Sequence, residues 1–171
     1  MRLFHISEEP DIDVFEPRIP LRDDMDKSVG LVWAIDEKRL PNFLFPRECP
    51  RVCYYITEKT SDSDKEAFFP CDLYSHAVVH ERRWYERIKN IKLYAYEFNP
   101  KDFELQDDVA GYYVAKRKQI PVAKHIITDV FSEFEKRNVY VISVDSLSDI
   151  AEKVRASSLN WSLCRMRNAV K

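Results

Sequence analysis

Glycine is almost missing from this chain of 171 residues, with Gly30 and Gly111 the only two. Glycine-rich phosphate loops and dinucleotide fingerprints need several glycines at fixed offsets, because only a residue without Cβ lets the backbone come that close to a phosphate. A Walker-type ATPase and a Rossmann dehydrogenase are therefore set aside. Long apolar runs are missing too, and none approaches the roughly 20 residues of a membrane-spanning helix. The chain opens on a strand-like run instead of a basic, apolar, cleavable leader, so a cytoplasmic protein without a membrane partner is expected. Neither sign of charge dominates: 27 Lys and Arg stand against 29 Asp and Glu, a net −2, and a nucleic-acid partner is not expected from that balance. Cysteine is sparse. Cys49, Cys53, Cys71 and Cys164 give one C-x3-C spacing and no second close pair, unlike a structural zinc site, and read as reduced thiols that pack as small hydrophobes.

What is present describes an ordinary folded protein. Hydrophobic residues at 45% and charged residues at 33% exclude a disordered chain, and the length suits one domain spanning residues 1–171. Nine prolines and many Asp and Asn residues supply the turns that glycine does not. Strands are expected at residues 2–7, 31–35, 51–57, 91–98, 111–116 and 139–144, from bulky and branched residues in alternation. Shorter extended pieces are expected at 103–105 and 120–127. Residues 22–27 read as a charged loop tip. Ser61 or Asp62 caps a short helix to Phe69, and Thr128 caps an amphipathic helix to Arg137. Residues 81–89 also read as helical, and a last helix starts at Asp145 or Ser146. Residues 73–80 fit a strand or a helix. The basic tail from Trp161 to Lys171 is in position to fold back over a pocket. Many strands with short helices, out of βαβ rhythm, specify an α+β fold with a mixed, largely antiparallel β-sheet core and a few flanking helices.

Several residues carry candidate chemistry. His5 and Ser7 are two apart on the first strand and project from one face. A neutral imidazole both donates and accepts, which suits a ribose hydroxyl. Trp33 sits in the second strand as a core or stacking residue. Arg18, Arg165 and Arg167 are candidate phosphate ligands, because a guanidinium binds phosphate in two-pronged fashion. His76 and His80 share a face in either conformation and, with Glu81 and Cys71 near, sketch half a metal site. No metal is expected, since the glutamate of a metalloprotease motif is missing between them. Cys49, Cys53 and Cys71 have no paired base visible in the sequence.

Two resemblances follow from longer stretches. Leu-Phe-His-Ile-Ser-Glu-Glu-Pro (3–10), Val-Trp-Ala-Ile-Asp-Glu (32–37), Phe-Pro-Arg-Glu-Cys-Pro-Arg-Val (45–52), Leu-Tyr-Ala-Tyr (93–96), Ala-Gly-Tyr-Tyr-Val (110–114) and Arg-Met-Arg-Asn-Ala (165–169) look like a bacterial family of uncharacterised single-domain proteins. That likeness brings no activity with it. The order of a His strand, a Glu-Pro-Arg loop and a Val-aromatic-Ala strand also resembles the ADP-ribosyltransferase-like fold. That second resemblance implies NAD as cofactor, with His5 on a ribose hydroxyl and Trp33 against the nicotinamide. Its third motif falls on residues 111–114, where Tyr112 would line the pocket and no acid is present. Glu97, on a neighbouring strand, is the substitute for the residue that stabilises an oxocarbenium-like transition state. The reading from sequence is thus a domain binding NAD or another nucleotide-like ligand through His5, Ser7, Trp33, Tyr112, Arg165 and Arg167, with His5 and Glu97 as catalytic candidates. The other readings are a non-catalytic ligand-binding or interaction domain, and a metal-dependent hydrolase built on His76 and His80.

Overall fold

The computed structural model describes residues 1–20 and 25–171, so Arg22 and the start of the expected charged loop lie outside the described residues. In chain order the elements are β1 (Leu3–Ser7), β2 (Val32–Asp36), β3 (Arg51–Tyr55), α1 (Asp62–Phe68), β4 (His76–Glu81), α2 (Tyr85–Lys89), β5 (Leu93–Phe98), β6 (Glu104–Asp107), β7 (Tyr112–Ala115), β8 (Ala123–Ile127), α3 (Val130–Lys136), β9 (Val139–Val144), α4 (Ser148–Arg155) and β10 (Asn160–Cys164). The fold is mixed α+β, with one antiparallel sheet, one mixed sheet and four short α-helices among the described residues. No helix among them is long and apolar enough to cross a membrane. The chain divides into two compact units, Met1–Phe43 with Lys92–Ile127, and Leu44–Ile91 with Thr128–Lys171.

The first unit holds a six-stranded sheet in the order β6-β7-β2-β1-β5-β8, antiparallel at every pairing. Strand alternation puts Leu3, Val32, Ala34, Phe98 and Ala115 on one face, where they form a core with Phe103. The segment after β1 lies over this face. Phe15 packs on the core and is fixed by reciprocal backbone bonds with Gln119, at 2.8 and 3.0 Å. The Tyr96 hydroxyl donates to the Glu9 carbonyl at 2.6 Å and accepts from the Ile12 N–H at 3.2 Å. One phenol therefore ties two points of an otherwise irregular stretch to the sheet.

One of the two glycines has a backbone reason. Gly111, just before β7, has φ +67°, a left-handed conformation that costs little only without a Cβ. A Cβ there would meet Arg39 Cγ at 2.5 Å and Asp36 Oδ1 at 2.9 Å.

The second unit holds a four-stranded sheet in the order β10-β3-β4-β9. The β4–β9 pair is parallel and the other two pairings are antiparallel. One face buries Val52, Tyr54, Ala77 and Val79 against Leu147, Ala151, Val154 and Leu159, so α4 covers the sheet with its apolar stripe. Ser61 caps α1 by accepting from the Asp64 N–H, one of the two caps expected from sequence.

The structure decides one open local expectation and corrects others. Residues 76–81 are strand through Glu81, because β4 lies between β3 and β9 and pairs with both. The expected helix over 81–89 is consequently a 3-10 turn at Arg82–Trp84 followed by α2. Thr128 does not cap α3; Asp129 does, accepting from the Ser132 N–H at 2.9 Å. The start of the basic tail is a strand, β10, paired along its length with β3.

Candidate functional site

His5 and Trp33 do not face one another. The β1–β2 register pairs Leu3 with Asp36 and Phe4 with Ile35. Paired residues share a face and neighbours in sequence alternate. His5 therefore projects with Leu3, onto the face that Phe15 covers, while Trp33 projects with Phe4 and Ile35 onto the other. The contacts agree. The His5 ring lies 4.9 Å from the Phe15 ring, centroid to centroid. His5 Nδ1 is 3.0 Å from the Trp33 carbonyl oxygen, and since that oxygen only accepts, Nδ1 carries the proton and donates. Ser7 shares the His5 face, and its hydroxyl accepts from the Glu9 N–H at 3.0 Å, closing a local turn.

On the opposite face Trp33 and Tyr112 come together. Their rings meet edge to face at 5.3 Å with planes at 84°, and Phe43 meets Tyr112 at 5.6 Å. All three are half-buried. The register makes the contact: Ile35 pairs with Tyr112, so Trp33 is its diagonal neighbour on the same face.

Glu97 is on the same side as Trp33, but on β5, with β1 lying between β5 and β2. Its carboxylate is fully engaged. Arg2 donates to both oxygens, from Nε at 2.9 Å and from Nη2 at 2.8 Å, and His125 Nε2 lies 2.8 Å from Oε2. The Arg2 guanidinium, with lesser help from His125, pulls the Glu97 carboxyl down to about 2. Arg2 also donates to Glu37 at 2.8 Å and stacks over Phe4 at 4.8 Å. The pairing of His5 with Glu97 as joint catalytic groups is not formed: the two side chains are on opposite faces, and Glu97 serves an ion-pair network.

Arg165 and Arg167 belong to the second unit, where both are tied to one short segment. Arg165 Nε donates to the Arg47 carbonyl at 3.1 Å, and Arg167 Nη2 to Glu48 Oε2 at 3.1 Å. Asn168 Nδ2 donates to the Glu48 carbonyl at 2.8 Å and to its carboxylate at 3.0 Å. The Asn168 amide first, then Arg167, lowers the Glu48 carboxyl below its usual range. Farther along, buried Glu81 accepts from Arg83 Nε at 2.8 Å and from the Val170 N–H at 2.6 Å. The tail is thus fastened by the Glu48 and Glu81 carboxylates and by backbone carbonyls, with the Asn168 carbonyl accepting in turn from Arg83 Nη2.

His76 and His80 do share a face of β4, as their spacing implies. Among the described residues, however, no group of three or more His, Cys, Asp or Glu is placed to hold a metal ion. His80 is fully buried, with Nδ1 3.1 Å from the Glu81 carbonyl and Nε2 3.0 Å from Ser143 Oγ. Burial, the largest influence, holds its imidazole below the ordinary value. All four cysteines are free thiols, Cys71 exposed and Cys49 and Cys53 buried. Sequence reasoning missed Arg2, His125 and Ser143. Each owes its place to pairings between strands far apart in the chain, which no local spacing announces.

The chain belongs to a family of unknown function, DUF6886, whose model matches residues 4–169. No curated protein and no solved structure matches the chain.

Proposed function

We propose that this family member is a ligand-binding domain that takes a nucleotide-like molecule, with NAD or its ADP-ribose part the first chemistry to try, and does not turn it over. The observation that carries the reading is the half-buried aromatic group of Trp33, Tyr112 and Phe43 on one sheet face. Every base has a π-face, and an aromatic platform of this kind contributes about 1–3 kcal/mol per stacked base. The motif order that resembles the ADP-ribosyltransferase-like fold is what supports NAD over other nucleotides. In this reading Trp33 and Tyr112 would face the ligand, a role that their ring contact on one sheet face supports. His5, on the other face beneath Phe15, holds the structure together instead of touching the ligand.

The non-catalytic form is favoured by Glu97. A carboxylate that stabilises an oxocarbenium-like centre must face that centre, and this one is spent on Arg2 and His125. The free thiols support a reducing, cytoplasmic setting as part of the same reading. Thermal shift against NAD, ADP-ribose and ADP tests it, with Trp33→Ala beside the parent protein. Stabilisation by at least one nucleotide that Trp33→Ala loses is the expected result, with no nicotinamide released from NAD. No shift with any of the three ends the binding reading. Nicotinamide release that disappears in Glu97→Gln would replace it with an enzyme.

A further inference from the structure

Strands β4 and β9 run parallel, and their register sets His80 directly opposite Ser143. Both are the next-to-last residues of their strands, so both stand at the carboxyl end of the parallel pair. Ser143 Oγ is 3.0 Å from His80 Nε2. The other ring nitrogen fixes the direction of that bond. Nδ1 lies 3.1 Å from the Glu81 carbonyl, an obligatory acceptor, so Nδ1 carries the proton. Nε2 is then a bare lone pair, and the hydroxyl of Ser143 must donate to it.

A hydroxyl donating to an imidazole that a third group holds in the right tautomer is the arrangement that activates a serine nucleophile. The burial of the two partners differs in the useful sense. His80 is fully buried, so its ring cannot turn to solvent, while Ser143 is only half-buried. We infer that Ser143 is an activated serine, with His80 as its general base, and that it attacks acyl donors of the ester class. The site lies in the second unit and does not rest on the nucleotide reading.

The step balances within these groups. As Oγ bonds to the ester carbonyl carbon, its proton passes to Nε2. The tetrahedral species collapses with cleavage of the C–O bond, and the alcohol leaves with the proton from Nε2. Water repeats the sequence on the acyl-serine and releases the acid. A small fluorophosphonate reports the first half: the Oγ–P bond forms, the P–F bond breaks, fluoride leaves and the proton stays on Nε2.

The test is diisopropyl fluorophosphate on the full chain, read by intact mass and peptide mapping. The expected result is one adduct, on Ser143, absent in Ser143→Ala and formed at least about a hundredfold more slowly in His80→Asn, the range for loss of a general base. No adduct on the folded parent protein, or an adduct that persists in Ser143→Ala, overturns the inference. Because His80 is buried, His80→Asn is checked for folding. Should it not fold, the ring-nitrogen NMR spectrum of histidine-labelled parent protein decides: a proton on Nδ1 with Nε2 unprotonated is expected, and a proton on Nε2 overturns the assignment.

Discussion

The His5 imidazole donates to the main-chain oxygen of Trp33 at 3.0 Å, while the two side chains stand on opposite faces of the same sheet. The residues are joined through one backbone group and separated as chemistry. His5→Ala should therefore act on stability. It removes a half-buried hydrogen bond and the ring under Phe15, for a loss of about 1–2 kcal/mol in chemical denaturation. Affinity for any nucleotide should not change. A His5→Ala protein of normal stability with lost affinity would contradict this.

Glu97 gives a pH prediction. Its folded value of about 2 is below the ordinary glutamate value of 4.5, so ionised Glu97 stabilises the fold above that ordinary value, and the contribution fades as pH falls toward 2. Arg2 is nearly half exposed, and solvent screening keeps the effect on the order of 1 kcal/mol. Stability measured between pH 5 and 2 should fall less steeply in Glu97→Gln than in the parent protein. Equal slopes would remove the network from the account.

Glu81 should behave differently, being fully buried with both oxygens in use. Glu81→Ala leaves Arg83 Nε and the Val170 N–H without their acceptor, while Arg83 Nη2 keeps the Asn168 carbonyl, and about 1–3 kcal/mol should be lost. Hydrogen exchange at Val170 should accelerate well beyond the average of the second unit. Unchanged protection at Val170 would show that the tail is held by other means.

Gly111→Ala should destabilise by about 1–3 kcal/mol, because the left-handed backbone and the close Arg39 and Asp36 atoms act together. Gly111→Ala combined with Arg39→Ala should recover part of the loss, since the nearest clash is with the Arg39 side chain. Thermal melts of the two variants check this, and no recovery would leave the backbone angle and the remaining Arg39 Cβ and Asp36 contacts as the cause.

Much of the fold was legible because its signals are local. The alternating runs at β1, β2, β3, β5 and β9, and the Ser61 cap, come from residue type and spacing alone. β10 was not legible as a strand, since Asn-Trp-Ser-Leu-Cys has no β-branched residue and becomes extended by pairing with β3. The candidate site turned on register. With Leu3 opposite Asp36, His5 and Trp33 part; a slip of one residue would have put them on one face, and nothing within either strand specifies that choice. Glu97 was legible as an acid on a strong strand, but its partners Arg2 and His125 lie 95 and 28 residues away in the chain.

The aromatic platform is the centre of the account, and calorimetric titration with ADP-ribose addresses it most directly, using the parent protein, Trp33→Ala and His5→Ala. Binding to the parent protein and to folded His5→Ala with equal affinity is expected, and at least about tenfold weaker binding to Trp33→Ala, as loss of one stacked base requires. Absence of heat with the parent protein, or an affinity that Trp33→Ala leaves unaltered, would contradict it.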